Sequence, residues 1–62
     1  MATEARLFDT NKQTQKAVQR LEEAGFAPSQ IGIGTRLVMV LADEDMADLA
    51  RENLQDVELE GR

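Results

Sequence analysis

Apolar and polar positions along the 62-residue chain change period several times, and each change marks an element. Ala5 to Phe8 is a short apolar-rich stretch interrupted by Arg6, and it predicts a first strand. Thr10, followed three residues later by Gln13, matches a capping box, in which two side chains satisfy free backbone N–H groups at a helix start. Thr14, Ala17, Val18, Leu21 and Ala24 then recur at helical spacing, with Lys12, Lys16, Gln19, Arg20 and Glu23 on the opposite face. Gly25 ends this helix, because glycine enters the left-handed region without a Cβ penalty. Phe26 is expected to fold back on the last apolar turn.

Ala27-Pro28-Ser29 is a connector, since Pro28 cannot continue a helix. Gln30 to Ile33 alternates and predicts a second strand. Gly34-Thr35 is a tight-turn candidate, with Gly34 expected at positive φ. Arg36 to Leu41 is the clearest strand signal. Asp43-Glu44-Asp45 opens a second helix, where the helix dipole favours negative charge, and Met46, Leu49, Ala50 and Leu54 form its stripe. Val57 and Leu59 alternate with Glu58 and Glu60, which predicts a short fourth strand before a Gly61-Arg62 tail. The order β-α-β-β-α-β over residues 1–62 predicts one α+β domain of ferredoxin-like βαββαβ topology. Its four-stranded antiparallel sheet has the first and third strands in the middle. Right-handed crossovers place two helices on one face.

Several of these residues carry a family likeness. Leu7-Phe8-Asp9-Thr10, a helix ending Leu21-Glu22-Glu23-Ala24-Gly25-Phe26, and Pro28-Ser29-Gln30-Ile31 resemble the opening of the heat-induced general stress protein (YflT-like) domain. Leu37-Val38-Met39-Val40, Ala42-Asp43-Glu44-Asp45, Ala47, Ala50 and Leu54 resemble how such chains close, and also the close of small signal-transducing domains of the same topology. The likeness covers most of the chain. It implies a stress-linked or regulatory role without known catalysis, and it carries over no functional residues.

Composition narrows the function classes. At this length the core is small, and such domains usually need a disulfide, a metal or a partner. The chain has neither cysteine nor histidine, so association is the stabilising device that remains, the alternative being a well-packed monomer. The net charge is −5 and uneven. Arg6, Lys12, Lys16, Arg20 and Arg36 outnumber Glu4, Asp9, Glu22 and Glu23 by one in residues 1–41. Arg51 and Arg62 face eight acids in residues 42–62. An acidic chain with two phenylalanines and no Tyr or Trp lacks the charge and the stacking platforms of nucleic-acid binders. The row Lys12, Lys16, Arg20 reads as a solvated helix face. The longest apolar run, Leu37 to Ala42, is too short to span a bilayer, and the N-terminus does not read as a secretory signal. No membrane partner and a cytoplasmic location are the expectations.

Candidate chemistry is sparse. Asp43, Glu44, Asp45 and Asp48 form the densest carboxylate group, but they open a helix rather than alternate around a glycine turn, so no metal is assigned to them. Gly32-x-Gly34 lacks the third glycine and following helix of a phosphate cradle. The usual nucleophile–base pairs are absent, and Thr10, Ser29 and Thr35 fall at caps and turns. The expectation is no catalytic residue, no cofactor and no enzyme activity.

The third strand is the most informative segment. A strand covered on one face alternates apolar and polar, whereas Leu37 to Leu41 is apolar throughout. With Leu37, Met39 and Leu41 assigned to the helices, Val38 and Val40 point the other way, and Phe8 joins them by parity. Phe8, Val38 and Val40 are therefore the expected interface, an apolar patch covered by a second copy or by a different protein. Two function classes follow: a non-catalytic, self-associating interaction or regulatory module, and a small-ligand-sensing regulatory domain.

Overall fold

The computed structural model describes residues 2–60, so the Gly61-Arg62 tail lies outside the described residues. The elements are β1 (Ala2–Leu7), α1 (Asn11–Glu23), a 3-10 turn (Pro28–Gln30), β2 (Ile31–Ile33), β3 (Leu37–Ala42) and α2 (Glu44–Glu60). The three strands form an antiparallel sheet in the order β1-β3-β2. The sequence β-α-β-β-α fits a ferredoxin-like arrangement with three strands among the described residues rather than four.

Local chemistry explains α1. Thr10 is its N-cap, and its Oγ1 accepts from the Gln13 N–H at 3.2 Å. The Gln13 side chain reaches back one residue further than a standard box, accepting from the Asp9 N–H at 3.1 Å. At the other end the Gly25 N–H donates to Glu22 O and the Phe26 N–H to Leu21 O. That pair of bonds is a Schellman motif, and Gly25 takes φ 106° to make it. Phe26 is buried, as its position after the cap predicts.

The expected fourth strand is instead the end of α2. Ala47, Ala50, Leu54 and Val57 are all buried, at spacings of three, four and three. Those are helical neighbours on one face, so Val57 extends the apolar stripe of α2 by one turn. The alternation of Val57 and Leu59 matched a strand over only four residues, and the longer helical period prevails. Leu59 is exposed on the far side. With no fourth strand beside it among the described residues, β1 is an edge and not a central strand.

The hairpin also differs in detail. Gly34 does not adopt positive φ; Gly25 is the only residue that does among those described. A three-residue connection, Gly34 to Arg36, joins β2 to β3, and the Gly34 N–H donates to Leu37 O at 2.7 Å. The Gln30 side chain fixes the entry to β2, accepting from the Ala27 N–H at 2.8 Å and donating to Leu41 O at 3.0 Å.

One buried cluster unites the elements: Phe8, Ala17, Leu21, Phe26, Val38, Val40, Ala42, Ala50, Leu54 and Val57. Both helices thus meet the same face of the sheet. No helix among the described residues is long and apolar enough to cross a membrane.

Candidate interaction surface

The structure inverts the expected parity of β3. Val38, Val40 and Ala42 are fully buried under the helices, and Met39 and Leu41 are exposed on the other side. Phe8 is buried with the valines. The three residues expected at an interface therefore do share a face, but it is the core face. Leu21, Leu54, Phe8 and Phe26 are the largest side chains of the buried core. Small side chains from the sheet fit the space that remains. A one-residue change of parity moves every side chain of a strand to the other face.

Register then defines the open face. Ala5 lies opposite Met39, which lies opposite Gly32; Leu7 lies opposite Leu37; Thr3 lies opposite Leu41. Seven residues thus make up this face: Thr3, Ala5, Leu7, Gly32, Leu37, Met39 and Leu41. None is charged. Leu7 is 73% exposed, Leu41 45% and Met39 41%. A shallow concavity of about 230 Å³ opens between Gly32, Ile33, Gly34, Leu37 and Met39. Gly32 matters here because a Cβ on it would rest 3.7 Å from the Met39 Cβ and narrow the hollow.

The charges of β1 lie on the opposite face and are used internally. Arg6 pairs with Glu58 of α2. Glu4 accepts from the Arg51 Nε at 3.0 Å, and Arg51 also reaches Asp48 at 3.2 Å. Paired with two carboxylates, the Arg51 guanidinium is held above its usual pKa, first by the hydrogen bond to Glu4. Burying the charge-bearing face of β1 against a helix leaves the other face apolar.

A second concavity of about 320 Å³ separates the start of α1 from the end of α2, lined by Asp9, Thr10, Lys12, Gln13, Lys16, Val57 and Glu60. Glu60 takes up two members of the basic row, with Arg20 at 2.5 Å and Lys16 at 3.5 Å. The Arg20 hydrogen bond holds the Glu60 carboxyl below the usual carboxylate range. Among the described residues no group of three or more acids is gathered for a metal, and the Asp43, Glu44, Asp45, Asp48 run lies exposed at the start of α2. Thr10 and Thr14 spend their hydroxyls on the first turn of α1, Thr14 donating to Thr10 O at 3.3 Å.

Fold and surface together define a small α+β protein with a two-layer core and a charge-free open sheet face. No family model, curated protein or solved structure matches the chain.

Proposed function

We propose that this chain is a non-catalytic interaction module that associates with a second copy of itself through the open face of its sheet. The observation that carries the reading is the absence of charge on a face bearing Leu7, Leu37, Met39 and Leu41, in a protein of net charge −5. Two such faces meet without burying a charge or opposing like charges. From strand spacing and rise, the face covers roughly 250 Å². Twice that is well below the ~1,200 Å² of a standard interface, so a pair formed on this area alone is weak and reversible. Such an equilibrium suits a regulatory role, as the stress-domain likeness implies.

Light scattering across a dilution series of the wild type and Met39→Glu tests the reading. The mass of the wild type rises with concentration, and the charged variant shifts that rise to higher concentration. Identical curves for the two proteins rule the open face out.

The cleft between α1 and α2 favours a second reading, a regulatory domain that senses a small ligand. Its volume lies at the lower end of the range for ligand pockets, and polar groups converge on it from both helices. A metabolite that raises the melting temperature of the wild type and not of Lys12→Ala supports this alternative.

A further inference from the structure

The open face is not the only unpartnered part of the sheet. In the ladder between β1 and β3, the Phe8 N–H donates to Arg36 O at 2.6 Å, in line with the register Leu7 to Leu37 and Arg6 to Val38. Antiparallel ladders alternate hydrogen-bonded and non-hydrogen-bonded pairs. Phe8, Arg6, Glu4 and Ala2 therefore direct their backbone groups at β3, and Leu7, Ala5 and Thr3 direct theirs outward. Among the described residues no hydrogen bond is made by these outward groups. The edge is six residues long, with no proline, no lysine and no bulge to blunt it.

We propose that β1 pairs with β1 of a second copy, antiparallel about a two-fold axis at Ala5, to give a continuous six-stranded sheet. This goes beyond the open-face reading and does not rest on it. Backbone and charge select one register. Ala5 opposite the partner's Ala5 makes Ala5, Thr3 and Leu7 the hydrogen-bonded positions, which are the ones with outward groups. It also sets Glu4 opposite the partner's Arg6, and Arg6 opposite the partner's Glu4, in the closer non-hydrogen-bonded pairs. The in-phase register on one side sets Glu4 against Glu4, and that on the other sets Arg6 against Arg6. A shift by a single residue aims the outward groups at residues whose backbone is already engaged with β3. Since Glu4 already holds Arg51 and Arg6 already holds Glu58, the cross-pairs join four alternating charges on each side of the axis.

The test uses the Met39→Glu chain, in which the open face is charged and edge pairing acts alone, at about 0.15 M salt, where repulsion between the acidic α2 helices is screened beyond about 8 Å. Sedimentation equilibrium is expected to find a dimer. Ala5→Pro is then added; it removes an outward N–H, a position where edge strands accept proline. The dimer weakens about tenfold or more, since both central hydrogen bonds are lost, while circular dichroism and the melting curve confirm a folded chain. Ala5→Cys, unambiguous in a chain without other cysteines, gives a second readout. Its Cα lies about 5.5 Å from its symmetry mate, so a short bifunctional thiol reagent joins the two copies. A Met39→Glu chain that is monomeric at every concentration, or a cysteine that fails to cross-link, overturns edge pairing. Whether the open face also associates is decided separately, by the comparison of wild type with Met39→Glu.

Discussion

Val38 and Met39 are neighbours in the chain and occupy opposite environments: Val38 is completely buried beneath the helices, and Met39 is 41% exposed on the open face. Glutamate at each position therefore separates stability from association. Val38→Glu places an uncompensated charge in a core whose total stability is about 3–9 kcal/mol for a domain of this size. It is expected to unfold the chain at 25 °C, by loss of far-UV circular dichroism. Met39→Glu is expected to melt within a few degrees of the wild type. A folded Val38→Glu protein would refute the parity described here.

The end of α2 is testable through Asp56. This residue is exposed within the helix, between buried Leu54 and Val57. Proline there removes a helical hydrogen bond and clashes with the preceding turn, a cost of about 3 kcal/mol. Asp56→Pro is expected to lower the denaturation midpoint accordingly. An unchanged midpoint would mean that α2 stops before this turn.

Glu60 links the last turn of α2 to α1 through Arg20 and Lys16. Its carboxyl titrates below the usual range because Arg20 donates to it. A depressed folded-state pKa contributes stability that is present above the unfolded value, about 4.3, and lost as pH falls through the folded value. The difference in melting temperature between wild type and Glu60→Gln is therefore expected to be constant from pH 7 to about 5 and to vanish in more acidic solution. The pair is solvent-exposed, so the difference is small and shrinks with added salt.

Gly25 carries the one positive φ among the described residues, and a Cβ added there would meet nothing within 4 Å. Conformational strain is thus the whole cost of Gly25→Ala, about 1–2 kcal/mol. Thr10→Ala loses a side-chain cap worth about 1 kcal/mol. The two sites lie at opposite ends of α1, so their effects are expected to add in thermal melts.

Where an element's evidence lay within its own residues, the sequence sufficed. Thr10, Gln13 and Gly25 mark the ends of α1 by local hydrogen bonding and backbone freedom, and Thr14, Ala17 and Leu21 mark its buried stripe. The third strand was equally legible as a strand, because its β-rich apolar run has no competing period. Val57 was ambiguous: four residues of alternation pointed one way, and the spacing from Ala50 and Leu54 pointed the other. Packing against the common core resolves it in favour of the helix.

Which side of β3 is covered could not be read locally at all. Leu37 to Leu41 is apolar at every position, so both parities satisfy the hydrophobic pattern. The sequence by itself determined α1 with its caps, the start of α2 and the first three strands in their order along the chain, because those depend on contacts within a few residues; it did not determine where α2 ends. Only the tertiary structure decided that Phe8, Val38 and Val40 are core and that Leu7, Met39 and Leu41 face outward. It also decided that Glu4 and Arg6 turn inward to α2, and that β1 is left as an edge. These outcomes depend on the volume left between layers and on partners about fifty residues away, which no local pattern encodes.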